Sequence, residues 1–330
     1  MNISYLKKQL ISANSAIFEV NKKGIVWSNN YFDSLFNFLN EYDLKNNLSL
    51  KSNKNNFYLK LKINKESTAY DSQFLVKNSE SSIYKINDEQ IKYILALKEG
   101  MECFSKGQIN FAIQKQYKLD DLSISGYEYL ARMYLQNGSQ ISNENFMPII
   151  NSNYQLNILL PSVLKKVTVF SKNKEAAINW INVSAELLES KTFYRKFTKL
   201  ISKNKLKPKC IGIEITESHK IISNKNMMES LTRLKKDKFL IAMDDFGSGY
   251  ANIRRLSILP IDLVKLDKSF IFDIKNKHTR TLIKGIVEIG NSIGFSVLAE
   301  GIETKSDLLK AKKLGVQFGQ GWFIGKPKIL

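Results

Sequence analysis

Oxygen-bearing side chains stand where five apolar runs of this chain finish: Glu128, Asn182, Glu214, the pair Asp244-Asp245, and Glu300. A single acid at a strand end is usually solvated or caps the next helix. Capping does not explain why nearly every run ends on an oxygen ligand, and mutually repelling carboxylates are costly without a compensating cation. Carboxylates with one amide oxygen are hard donors that suit Mg²⁺, Mn²⁺ or Ca²⁺. The two histidines, His219 and His278, stand at none of these positions, so zinc hydrolase chemistry is poorly supported. Two consecutive aspartates among other acids suit a pair of ions about 3.5–4 Å apart, the arrangement used for in-line phosphoester displacement. Lys265, beside such a cluster, is placed to hold a phosphate oxygen or help deprotonate an attacking water.

The elements that must position these groups follow from apolar periodicity. Eight β-type runs recur, at Ala112–Leu119, Ile124–Met133, Ala177–Val183, Cys210–Thr216, Phe239–Asp244, Leu263–Leu266, Phe295–Ala299 and Phe318–Ile324. Helical stretches are expected after them. One carries an apolar stripe of Leu308, Leu309, Ala311 and Leu314 closed by Gly315, another a stripe of Ile283, Ile286, Val287 and Ile293. Such alternation over 88–330 suggests a (β/α)8 TIM-like parallel barrel rather than a short open sheet, a choice that pattern alone does not decide; in a barrel, strand C-termini meet on one face and gather the catalytic groups. Glu214 and Thr216 lie two apart and share a strand face, as do Lys265 and Asp267.

Residues 1–87 read as a separate small α+β domain. A short helix is expected over Ile3–Ile11, strands over Ala16–Val20, Ile25–Trp27 and Phe57–Ile63, and an Asn/Lys/Ser-rich loop over Lys45–Asn56. The net charge of +19 reflects lysine spread along the whole chain rather than a block with interleaved aromatics, so neither DNA nor RNA is expected as a partner. No apolar run reaches the roughly 18 residues of a membrane span. Met1–Gln9 has no apolar signal core behind its lysines, so a cytoplasmic location is expected. Cys103 and Cys210 are too few for a disulfide framework.

Several segments together resemble the EAL domain, the cyclic di-GMP phosphodiesterase module of bacterial signalling. Glu128-Tyr-Leu-Ala-Arg132 stands for the name-giving motif, Ile181-Asn-Val-Ser184 for NLS, and Ile213-Glu-Ile-Thr-Glu217 for ELTE. Ile241-Ala-Met-Asp-Asp-Phe-Gly-Ser-Gly-Tyr250 is similar to DDFGTGYSS. The stretch from Leu259 to Phe270 is similar to LPVDxLKIDRSF, Val297–Glu303 to VAEGVE, and Phe318–Trp322 to YGQGY.

By position, the resemblance implies Glu128, Asn182, Glu214 and Asp244 as ligands of a first Mg²⁺ or Mn²⁺. Asp244 would bridge to a second ion that Asp245 serves, with Glu300 nearby. Lys265 would contact the attacking water or the scissile phosphate, and Gln320 and Glu303 would complete the inner shell. Glu217 would brace the loop after Asp245, while Gln114, Leu130 and Arg132 would contact the nucleotide. The implied reaction opens cyclic di-GMP to linear pGpG, in a homodimer and with no organic cofactor. The alternative is a catalytically silent receptor for the same nucleotide that signals through its N-terminal domain.

Departures from the family pattern are Tyr129 for the motif alanine, Lys115 for proline, Ala251 for the loop serine, and Lys236-Asp237 for Leu-Gly. Tyr129 should point away from Glu128, because strand side chains alternate. Ala16–Asn30 with Phe32–Phe36 resembles the opening of a PAS sensor domain. No GGDEF-type signature accompanies it, so cyclase activity is not expected.

Overall fold

The computed structural model describes residues 109–134, 138–141, 155–171, 177–216, 224–248 and 253–330, and within 17–85 the backbone of seven strands. The chain divides into two compact units, Met1–Lys106 with Met133–Ile150, and Gly107–Arg132 with Asn151–Leu330.

In the first unit β1 (Ile17–Asn21), β2 (Gly24–Ser28), β3 (Leu48–Asn53), β4 (Asn56–Ile63), β5 (Glu66–Asp71), β6 (Gln73–Lys77) and β7 (Ser81–Lys85) form two antiparallel sheets, ordered β2-β1-β7-β6 and β3-β4-β5. The expected loop over Lys45–Asn56 is corrected, since its centre is β3, paired residue for residue with β4 from Leu48↔Leu61 to Asn53↔Asn56. Leu48 and Leu50 alternate with polar neighbours, a strand pattern masked by the surrounding asparagines and lysines. The expected helix over Ile3–Ile11 and the residues Phe32–Phe36 lie outside the described residues.

The second unit is built on β8 (Asn110–Lys118), β9 (Ile124–Tyr134), β11 (Ile178–Asn182), β12 (Ile211–Thr216), β13 (Leu240–Phe246), β14 (Leu263–Leu266), β15 (Ser296–Ala299) and β16 (Phe318–Gly319). These eight close into a barrel in the order β9-β11-β12-β13-β14-β15-β16-β8, with β8 pairing back to β9. The short β10 (Gln140–Ile141) pairs with the end of β9, and β17 (Lys328–Ile329) with β8.

The barrel is not wholly parallel. β8 runs antiparallel to both neighbours. Only Leu119–Ser123 joins it to β9, and a parallel crossover needs a dozen residues or more. The turn is held by Lys118 N–H to Ser123 O (2.9 Å) and Ser123 N–H to Asp121 Oδ1 (2.8 Å).

Among the described residues eight α-helices accompany the strands: α1 (Leu160–Ser171), α2 (Ala185–Glu189), α3 (Phe193–Lys203), α4 (Lys225–Lys236), α5 (Ile253–Ile258), α6 (Lys268–Phe272), α7 (Lys277–Ile293) and α8 (Lys305–Lys313). α8 begins with a Thr304/Asp307 capping box and ends at Leu314, followed by left-handed Gly315. Its stripe is narrower than expected, for Leu309 is exposed, as is Ile293 at the end of α7. On α7 the inward row is continued by Gly290, whose missing Cβ admits the Phe295 ring. Inside the barrel Trp180, Ala242, Leu263 and Leu298 form an apolar layer. None of the described helices is long and apolar enough to cross a membrane.

Candidate active site

Strand register stacks the acids above that apolar layer. Asn182 is paired with Glu214, Thr216 with Asp244, and Gln114 with Glu128. The Lys265 side chain, 1% exposed, rises from β14 into their midst. Its ammonium nitrogen is 2.8 Å from Asp244 Oδ1, 3.0 Å from Glu300 Oε1, 3.1 Å from Glu214 Oε2 and 3.5 Å from Glu128 Oε1. Burial by itself would lower the lysine's pKa, but Asp244, Glu128, Glu214 and Glu300 together hold it well above the ordinary value. Lys265 is therefore a fixed positive charge.

Asp244 and Asp245 are consecutive, so on a regular strand they would face opposite sides. The register between β13 and β14 shifts here: Met243 pairs with Val264 and Phe246 with Leu266, leaving two residues opposite Lys265. Asp245 sits in the extra place with φ +54°. This β-bulge re-aims a side chain at the site, as bulges beside functional sites do. Ligand atoms of Asp244, Asp245 and Glu300 lie within 4.8 Å of one another, as do those of Glu128, Glu214 and Asp244. Asp244 belongs to both triads. Just beyond, Gly247 has φ +96°, and a Cβ there would lie 2.1 Å from Phe270 Cε2.

Amides fix the buried acids. Gln320 Nε2 donates to Glu128 Oε2 and, at 2.9 Å, to Gln114 Oε1. Gln114 in turn donates to the carbonyl of Gly325 (3.2 Å). Asn182 also hydrogen-bonds Glu128. Gln116 Nε2 reaches Glu214 Oε1 at 3.3 Å. Sequence reading missed Gln116, although it lies two residues after Gln114 and so on the same strand face.

One lysine does not neutralise five carboxylates, and the acids share the imbalance unequally. Glu128 is held below the usual range: burial pushes it up, and Lys265 with the amide hydrogen bonds outweighs that. Burial and the neighbouring Glu128 push Glu214 well up, so the proton of this pair rests on Glu214. Glu300 is raised to about 8, first by burial and then by Asp244 and Glu128 against the opposing pull of Lys265. Asp245 is raised to about 6 by burial and by Asp244. Asp244 Oδ1 is buried and accepts no hydrogen bond; the lysine 2.8 Å away is within Coulombic range but outside hydrogen-bonding geometry. A carboxylate with an orphaned oxygen, on a residue shared by two hard-oxygen triads, fits divalent cations of the Mg²⁺ or Mn²⁺ type.

Of the remaining expected residues, Leu130 and Arg132 follow Glu128 on β9, and Arg132 Nη1 donates to Ala131 O (2.9 Å). Glu303 is exposed and belongs to neither triad, because it lies four residues past the end of β15, on the turn leading to Thr304. Glu217 and Ala251 lie outside the described residues. Tyr129 points away from Glu128, donating its hydroxyl to Asn179 Oδ1 (3.0 Å) and meeting Phe170 edge-on.

Residues 96–327 match the EAL domain family. The chain is 30% identical over 211 residues to the probable cyclic di-GMP phosphodiesterase PdeA of Escherichia coli K12, which covers 62% of this chain and 29% of that protein. It thus spans less than a third of that relative's length. Among solved structures, the cAMP-bound EAL enzyme Bd1971 superposes with a TM-score of 0.66 at 24% identity, over 72% of this chain and 68% of that one. BlrP1 of Klebsiella pneumoniae, solved as a manganese/cy-diGMP complex, gives 0.60 at 22% identity over 67% of this chain and 56% of its own. Those two likenesses are of fold. A family match over most of the chain, on a closed barrel with its acids gathered at one end, makes this chain a member of the EAL domain family.

Proposed function

We propose that the chain hydrolyses one phosphodiester of cyclic di-GMP, giving linear pGpG. The observation that carries this reading is the pair of acid triads sharing Asp244, packed around a buried ammonium. Glu128, Asn182, Glu214 and Asp244 would hold one divalent cation, and Asp244, Asp245 and Glu300 a second. The cations would neutralise the charge that develops on the phosphoryl oxygens and favour the deprotonated form of the attacking water.

The chain's own residues supply position and charge. Lys265, cationic throughout the accessible pH range, offers its ammonium to the attacking oxygen or a phosphate oxygen. Gln320, Gln114 and Gln116 hold Glu128 and Glu214 in orientation. Leu130 and Arg132, further along β9, would contact the nucleotide. Water's oxygen joins phosphorus, the bond from phosphorus to the ribose 3′ oxygen breaks, and that oxygen takes up a proton. The relative PdeA carries the same substrate in its name, which supports the choice of nucleotide.

The test is incubation of the chain with cyclic di-GMP and Mg²⁺ or Mn²⁺, with products separated by chromatography. Appearance of pGpG, abolished by chelator and by Glu128→Ala, is expected. Tight nucleotide binding with no product would overturn turnover and establish the receptor reading instead.

A further inference from the structure

At the end of the barrel opposite the acids, a cavity of about 330 Å³ opens where the parallel strands begin. Ile178, Leu240, Leu263, Ser296 and Phe318, the first residues of β11, β13, β14, β15 and β16, form its wall. Trp180 and Gln116 reach it from deeper inside. Both are buried, at 4% and 1% exposure.

Neither satisfies its polar atoms there. The Trp180 indole N–H has no hydrogen-bond partner among the described residues. The sole bond of Gln116 runs from Nε2 to Glu214, leaving Oε1 free. The two groups edge one notch, which exists because residue 126 is glycine: a Cβ there would lie 2.9 Å from Trp180 Nε1 and 3.0 Å from Gln116 Oε1. Neither atom is among the buried side-chain atoms without a partner, so both touch the open space of the cavity, where they offer an adjacent donor and acceptor in a volume of ligand size.

We propose that this cavity binds a small neutral heterocycle whose edge carries an acceptor beside a donor, as a lactam does. Trp180 would donate to the carbonyl and Gln116 Oε1 would accept from the ring N–H. Charge is disfavoured. The only ionisable group in the lining, Asp262, is already taken by Lys235 Nζ and by the Ile241 N–H at 2.9 Å. The aliphatic and aromatic wall suits a flat apolar body.

The occupant is coupled to the acid cluster through a single amide. Gln116 faces the cavity with Oε1 and Glu214 with Nε2, so a ligand that orients the amide changes how Glu214 is held. Coupling is reciprocal: an occupant that shifts cation affinity has its own affinity shifted by the same factor. This half of the proposal rests on the reading of Glu214 as a cation ligand; binding in the cavity does not.

The probe is 2-quinolinone, with 1-methyl-2-quinolinone, which lacks the ring N–H, as control. The full chain, ¹⁵N-labelled, is titrated while its indole N–H resonances are followed; the chain has three tryptophans, and Trp180→Phe assigns one of them. Saturable movement of the Trp180 resonance by the lactam, much weaker with the methylated control, is expected. Ser296→Leu, which fills the half-buried rim, should abolish the response while leaving Mn²⁺ affinity as it was. No saturable movement, as when water alone bridges the two groups, overturns the site, and so does a response that survives Ser296→Leu. With the cavity saturated, Mn²⁺ affinity should change by roughly five-fold or more. An unchanged Mn²⁺ affinity overturns the coupling. The indole response needs no metal, so a chain that fails to hydrolyse cyclic di-GMP yet shows it refutes the proposed reaction and not the cavity.

Discussion

Lys265 Nζ stands 2.8 Å from Asp244 Oδ1, a buried oxygen without a hydrogen bond, on the one residue common to both acid triads. The lysine thus supplies part of the positive charge that this cluster requires, sharing its ammonium among four acids at 2.8–3.5 Å. Removing either side of such an arrangement leaves buried charge uncompensated.

Lys265→Met should therefore destabilise the metal-free protein, on the order of 3–5 kcal/mol for a buried ion deprived of its partner. Mn²⁺ should raise the melting temperature of this variant by more than it raises the wild type's. Turnover should fall about 10²-fold or more with KM little changed, the pattern of a group acting mainly in the transition state. Equal losses in affinity and rate would mean that the lysine only binds substrate.

Glu128→Ala removes a carboxylate held by Gln320 and Asn182. Calorimetric titration should show Mn²⁺ affinity lowered at one site and turnover abolished. A near-normal rate would remove Glu128 from the ligand set. Ca²⁺, larger and looser in its geometry, should bind the wild type yet fail to sustain hydrolysis.

Glu300 titrates near 4.5 when unfolded and at about 8 when folded; Asp245 moves from 3.8 to about 6. Between those values the folded form keeps protons that the unfolded form has released. These two groups therefore favour folding fully at pH below the unfolded values, and their contribution is lost as pH rises toward about 8. In chelator, the contribution of these groups makes the urea midpoint decline from pH 5 to 8, and Glu300→Gln should flatten the upper part of that slope. With Mn²⁺ present the trend should reverse, because cation binding displaces the protons. A chelator-treated wild type and Glu300→Gln with identical pH profiles would contradict the assignment.

Asp245 has φ +54°, a left-handed conformation that costs a non-glycine residue about 1–2 kcal/mol. Asp245→Gly relieves both that strain and a half-buried acid of raised pKa, so the metal-free variant should melt no lower than the wild type. It should nonetheless lose the second cation and hydrolysis with it. Thermal melts and Mn²⁺ stoichiometry, measured on one preparation, separate the two effects.

The sequence by itself determined the kind of chemistry. Asn182, Glu214, Asp244 and Glu300 stand at or near run ends, with Glu128 in mid-strand on β9, and hard oxygens in that number without histidine specify a class of cation before any fold is known. Apolar periodicity likewise located seven barrel strands to within two residues, because local alternation records which face is buried, whereas the run expected to reach Ile324 is a strand only at Phe318–Gly319. What tertiary structure decided is what depends on neighbours distant in sequence. The direction of β8 follows from a five-residue turn closing a barrel whose other seven strands run the opposite way. Asp245 joins Asp244 because pairing with β14 forces a bulge, which no alternation rule foresees. Gln116 meets Glu214, 98 positions away, and Glu303 turns outward. Composition and spacing choose the ligand atoms; strand register, set by hydrogen bonds between remote segments, chooses which of them share a site.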